Sequence, residues 1–238
     1  MVDCGMFQGS TDLEARNREA PLAYLERLDA VLLTHAHLDH SGRLPLLTRR
    51  RDYAGPIFAT GATIQMAEII LQDSARINAS DTERENRRRL RAGEEPLEPL
   101  YEPQDAHRIL QLMQEVPYET PFHVAPGITA RMIEAGHMLG SASIQLVVVD
   151  EGRPKVILFS GDIGPRNLPI MRTAESLESA DVVIMESTYG DRDHSPLNET
   201  LDEAEKIVRQ AVKRKGKILV PAFAIGRTQQ LMYHMAAL

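Results

Sequence analysis

The segment His35-Ala36-His37-Leu38-Asp39-His40 constrains this chain more than any other feature. Three imidazoles and one carboxylate follow directly on the apolar stretch Asp29–Thr34. Borderline divalent metals such as Zn²⁺ take imidazole and carboxylate ligands. In an extended chain, residues i and i+2 point the same way. His35 and His37 can therefore turn both rings toward one ion at a strand end. Asp39 and His40 are expected in the turn that follows, with Ser41-Gly42 allowing a bend into a helix starting near Arg43. A set of surface or core histidines with no ligand role is the bland alternative. The density of the run, and its place after a buried strand, argue against that alternative.

The chain has 238 residues, 43% of them hydrophobic and 26% charged, which suits one large globular domain or one and a fraction. No apolar run approaches the roughly 18–20 residues that a membrane-spanning helix needs. The first residues lack the basic and apolar regions of a secretory signal. Cys4 is the only cysteine, so no intramolecular disulfide can form. A cytoplasmic location is expected, and Cys4 is read as a buried residue at a strand end. The net charge of −7 speaks against a general electrostatic grip on nucleic acid and leaves room for a local basic groove. No membrane partner is expected, and a homo-oligomer is compatible with the composition.

Strand-like runs lie at 30–34, 56–60, 128–135, 143–150, 155–160, 181–187 and 216–222. The continuous apolar runs Val147–Val149 and Val182–Met185 are those of strands covered on both faces. A helix is expected from about Pro196 to Lys215, with Leu201, Ala204, Val208, Ala211 and Val212 on one face. Ser195 or Asn198 would cap its start, and Gly216 would end it in the left-handed conformation. A second helix follows Gly61. Residues 74–121 are highly charged and turn-rich, as expected of an inserted helical excursion. Within it, Arg87–Arg89 and Arg91 are read as a solvated helix face, with a rim that holds an RNA backbone as the sharper alternative. The opening residues read as the end of a strand and the closing ones lie inside a helical pattern. A fragment at both ends is therefore expected.

Two later loops can supply further ligands. Gly136-His137-Met138-Leu139-Gly140-Ser141 lies between two strand runs, and Ser160-Gly161-Asp162 follows a third. Taken in order, His-x-His-x-Asp-His, a Gly-His loop and Ser-Gly-Asp resemble the metallo-β-lactamase superfamily. Asp3, in Val2-Asp3-Cys4-Gly5, matches its first motif. Glu186-Ser187-Thr188-Tyr189-Gly190-Asp191 resembles the first motif of the β-CASP branch, and Val220–Gln230 resembles a strand and helix opening of the β-CASP domain. That branch processes nucleic acids and includes ribonuclease J and the endonuclease subunit of the mRNA 3′-end cleavage factor.

The resemblance implies an α/β fold, the metallo-β-lactamase αββα sandwich of two β-sheets flanked by helices. It would be truncated at its N-terminus and followed by the start of a β-CASP domain. The implied boundaries are 1–194 for the first domain, with the excursion at 74–121, and 195–238 for an incomplete second. Two zinc ions are implied. His35, His37 and His137 would bind one, Asp39 and His40 the other, and Asp162 would bridge them. Asp3 would orient a ligand histidine, and Glu186 would orient a histidine or a water. Asp39, Asp162 and Glu186 are the catalytic carboxylates in this reading.

The implied reaction is RNA phosphodiester hydrolysis by a bridging hydroxide that two metals activate, leaving a 5′-phosphate and a 3′-hydroxyl. In the family the second zinc takes one more histidine, and a further histidine serves as general acid; both would lie beyond residue 238. Weaker occupancy of the second zinc is therefore expected. His107, His123, His194 and His234 are read as non-ligands. Arg227, at a helix start, suits a phosphate contact as well as it suits a surface ion pair. Two alternatives stand beside the nuclease: a small-molecule metallo-hydrolase of the same fold, acting on a thioester or lactam, and a non-catalytic RNA-processing subunit. The segments at Glu186 and at Pro221–Arg227 favour the nucleic-acid branch.

Overall fold

The computed structural model describes residues 1–19, 27–166, 168–176, 179–193 and 195–236. It divides into two compact units. One is Met1–Arg166 with Arg172–Glu186; the other is Ser187–Leu238 with Asn167–Met171. In chain order the elements are α1 (Thr11–Ala15), β1 (Val31–Leu32), α2 (Leu38–Ser41), α3 (Pro45–Arg51), β2 (Ile57–Ala59), α4 (Gly61–Arg91), α5 (Pro103–Leu110) and β3 (Met113–Glu115). These are followed by β4 (Phe122–Ala125), β5 (Ile128–Glu134), β6 (Ala142–Asp150), β7 (Arg153–Phe159), β8 (Val182–Ile184), α6 (Leu197–Arg214) and α7 (Arg227–Met235). Among the described residues no helix is long and apolar enough to cross a membrane.

The first unit holds two sheets. One is parallel, ordered β1-β2-β3, with Val31 opposite Ile57 and Ile57 opposite Met113. The other is ordered β4-β5-β6-β7-β8, antiparallel until β8 joins β7 in parallel. Alternation along β5 shows why the sheets stack. Ala130 and Met132 are buried, while Arg131, between them, pairs with Glu119 at 3.1 Å. Ala130, Met132, Ala142 and Ile144 form one cluster with Leu32 and Val116, and Phe58 and Phe159 pack against it. A Met132 side chain buried in this way contributes roughly 1.5–3 kcal/mol. The Ala142 N–H also donates to the Thr34 carbonyl at 2.8 Å, tying the two sheets together at one end.

Helices α3, α4 and α5 bury Leu47, Leu71 and Ile109. Thr60 caps α4 by accepting from the Thr63 N–H. The first half of α4 buries Thr63, Ala67, Leu71 and Ala75 at helical spacing, and its second half is polar. There Arg87 pairs with Glu83 at 2.8 Å on an exposed face, the solvated arrangement expected for that stretch.

Several expectations need correction. Asp39 and His40 lie on the short helix α2 rather than in a turn, and the next helix waits until Pro45, whose fixed φ suits a first helical position. The excursion is not only helical: β3 returns from it to pair with β2. Residues 216–222 form no strand: they pair with no described strand, so their backbone groups lack a ladder partner, and Leu219 is 95% exposed. The run at Val182–Met185 is exposed rather than covered on both faces, because β8 is an edge strand held only by β7. Helix α6 has Pro196 at its N-cap position, with no side-chain cap from Ser195 or Asn198. At its other end the left-handed residue is Lys215 (φ 52°), because the Gly216 N–H reaches back to the Ala211 carbonyl and the Lys215 N–H to Val212.

Candidate metal centre

The ligand candidates sit on three segments at one end of the two sheets. The first runs on from β1. Asp3 lies alongside it, its N–H donating to the Leu32 carbonyl and its Oδ1 accepting the Thr34 N–H at 2.8 Å. Asp3 has a left-handed φ of 55°, a conformation that Asp tolerates. His37 is the N-cap of α2, and Ser41 closes that turn by donating to the Ala36 carbonyl. Gly5 packs so tightly beside Asp39 that a Cβ there would stand 1.5 Å from the Asp39 carbonyl oxygen.

His137 is held in the β5–β6 loop. The Ser141 hydroxyl accepts from the His137 and Met138 N–H groups, and the Thr60 and Thr63 hydroxyls both donate to the Gly140 carbonyl. Asp162 follows β7. The next N–H, that of Ile163, donates to Glu186 Oε1 at 2.6 Å, so Glu186 fixes the Asp162 loop. Gly164 backs against the His137 loop, where a Cβ would stand 1.8 Å from the Gly136 carbonyl oxygen.

The side chains converge into two overlapping groups. One is His35, His37, His137 and Asp162; the other is Asp39, His40 and Asp162. Within each, the ligand atoms lie within 4.8 Å of one another. His37 Nδ1 stands 3.1 Å from both His35 Nε2 and His137 Nε2. Asp162 Oδ2 is 3.5 Å from His137 Nε2 and 3.8 Å from His35 Nε2. Tetrahedral Zn²⁺ with bonds near 2.0–2.1 Å separates its ligand atoms by roughly 3.3 Å. Three nitrogens and one oxygen at these spacings fit such an ion. On the other side of Asp162, Oδ1 lies 3.2 Å from His40 Nε2, and Asp39 Oδ2 is 3.9 Å from the same nitrogen.

The two groups differ in charge. Burial and the neighbouring imidazoles push His35 down to about 2. Burial lowers His37 and His137 as well. Burial would also lower His40, but hydrogen bonds to Asp162 and Asp3 outweigh it and raise His40 to about 10. The same bond to His40 holds Asp162 down at about 2. The first group is thus three imidazoles that burial keeps from taking a charge, and the second holds an imidazole that two carboxylates favour in its protonated form.

The structure therefore brings together His35, His37, Asp39, His40, His137 and Asp162, with Asp3 and Glu186 bonded at their edge. Arg227 belongs to the other unit, at the start of α7, where the Gly226 N–H is already taken by Gln229 Oε1. His107, His123 and His234 lie outside both groups, and His194 lies outside the described residues. The sequence reading missed Thr34, Thr60, Thr63 and Ser141. Only Thr60 carries a local signal, a cap residue just ahead of a helix.

A model of the Beta-lactamase superfamily domain matches residues 1–220. Ribonuclease TTHA0252 of Thermus thermophilus is 37% identical over 234 residues, which span 98% of this chain and 48% of that protein. Transcription termination factor FttA of Thermococcus kodakarensis is 33% identical over 211 residues, 86% of this chain and 30% of that protein. Endoribonuclease YSH1 of Kluyveromyces lactis is 27% identical over 215 residues, 87% and 26% of the two chains. The chain spans about half the length, or less, of these curated relatives.

Proposed function

The chain belongs to the β-lactamase superfamily, and from that premise we propose that it forms the metal-binding, hydrolytic part of a β-CASP-type ribonuclease. The observation that carries this reading is the meeting of two ligand groups at one carboxylate, Asp162. Relatives named as a ribonuclease and an endoribonuclease support RNA as the substrate.

His35, His37 and His137 would hold one divalent ion, Asp39 and His40 a second, and Asp162 both. The imidazole-rich donor set suits zinc. When bound, such a pair supplies Lewis acidity that makes water nucleophilic near neutral pH and offsets charge building on a phosphate. The protein's own part is to hold the ligands still. Glu186 anchors the Ile163 N–H and so sets Asp162, and Asp3 accepts a hydrogen bond from His40 Nδ1 at 2.7 Å. Arg227 is read as a phosphate contact of the second unit. Residues 1–194 are read as the hydrolytic domain and 195–238 as the opening of a β-CASP domain.

The test is cleavage of labelled single-stranded RNA by the full chain, beside a chromogenic β-lactam and a thioester. RNA cleavage that a chelator stops and zinc restores is the expected result. Turnover of the thioester or lactam with none of RNA would replace the nuclease by a small-molecule hydrolase. Arg227→Ala is expected to weaken RNA binding and leave metal content unchanged.

A further inference from the structure

Thr34 is 1% exposed and each of its polar atoms is engaged. Its N–H donates to Asp3 Oδ1 at 2.8 Å, and its carbonyl accepts from the Ala142 N–H across the sheets at 2.8 Å. Its hydroxyl lies 2.8 Å from Asp3 Oδ2 and 3.1 Å from His35 Nδ1. A hydroxyl has one hydrogen to give, and an ionised carboxylate can only accept. The Thr34 hydrogen therefore goes to Asp3, and Thr34 Oγ1 must accept from His35. That places the ring proton of His35 on Nδ1 and leaves the Nε2 lone pair facing His37 and Asp162. The same Asp3 oxygen accepts directly from His40 Nδ1 at 2.7 Å, much closer than the 3.4 Å between that nitrogen and Thr34 Oγ1. His40 Nε2 is left facing Asp162.

We propose that the single carboxylate of Asp3 orients a histidine in each ligand group at once, His40 directly and His35 through Thr34, a positioning residue that also sets the tautomer of the His35 ring. The proposal rests on the metal-centre reading for its consequence and on hydrogen-bond counting alone for its geometry. Loss of an outer-shell partner lowers metal affinity roughly 10–100-fold. Removing the Asp3 carboxylate should therefore produce that loss at both positions, and removing the Thr34 hydroxyl at the His35 position.

Thr34→Val keeps the shape and the backbone N–H but removes the hydroxyl; Thr34→Ser keeps the hydroxyl. Nitrogen-15 NMR of the imidazoles in the metal-free chain reads the tautomer without any reference to metal. The expected result is a His35 ring protonated on Nδ1 in the wild type and in Thr34→Ser, and a mixed or inverted tautomer in Thr34→Val. A His35 ring protonated on Nε2 in the wild type would overturn the proposal. Zinc titration is expected to show weakening at the His35 position in Thr34→Val with recovery in Thr34→Ser, and weakening at both positions in Asp3→Ala. No weakening at the His35 position in Thr34→Val, or weakening at one position only in Asp3→Ala, also overturns it. A wild-type chain that binds no zinc would remove the metal-centre reading, while the tautomer result still decides the relay.

Discussion

The two halves of the centre share Asp162 but are built on different principles. The His35–His37–His137 half is inside the protein: the His35 side chain is fully buried, and all three rings are held neutral. The Asp39–His40 half opens outward, with the Asp39 side chain 54% exposed and His40 carrying a proton. A cation entering the first half would meet four clustered donors; one entering the second would have to displace a proton from His40 and would find three donors among the described residues. Burial has preorganised one position and left the other conditional on pH.

The largest effects should come from the shared and buried ligands. Asp162→Ala is expected to weaken zinc at both positions, and His37→Ala at the first, by more than the roughly 10–100-fold typical of an outer-shell loss. Asp39→Ala should leave the first position intact; measurement of bound zinc after dialysis checks all three. Equal losses from Asp39→Ala and His37→Ala would erase the distinction between the halves.

Next come the two glycines that back the ligand loops. Gly5→Ala pushes on the Asp39 carbonyl and should disturb the second position, whereas Gly164→Ala pushes on Gly136 and should disturb the first. Each is expected to cost about 1–3 kcal/mol of stability as well, read by denaturant unfolding.

The pH dependence separates the halves more finely. His40 is raised to about 10, so zinc at the second position displaces one proton. Affinity there should rise about tenfold per pH unit from neutrality toward pH 9, while the first position stays flat. In the metal-free chain the His40 contribution to stability is complete below its ordinary value of 6.5 and fades as pH rises through about 10. Smallest of all, Arg87→Ala removes an exposed helix pair and should change stability by less than about 0.5 kcal/mol, with no effect on zinc at either position.

Part of this cluster was legible in the sequence because His35, His37 and Asp162 lie just beyond strands, where local order dictates direction. The i, i+2 spacing of His35 and His37 needs only an extended backbone to converge. Asp162 and Glu186 each follow an apolar strand. What stayed hidden depends on contacts distant in sequence. The hydroxyls of Thr60 and Thr63 reach Gly140 from the far side of the whole excursion, and no local pattern marks them as partners. β3 is three residues long and its burial is slight, so it shows no clear alternation. The missing strand at 216–222 has the apolar composition of one, but a strand also needs a neighbour, which composition does not report.

The central claim is that two unequal metal positions meet at Asp162. Calorimetric titration of the metal-stripped chain with zinc at pH 7 tests it most directly. Two bound ions per chain are expected, the second at least about tenfold weaker than the first, with the gap narrowing as the pH is raised. Two ions of equal affinity, or a single ion that is unaffected by Asp162→Ala, would contradict it.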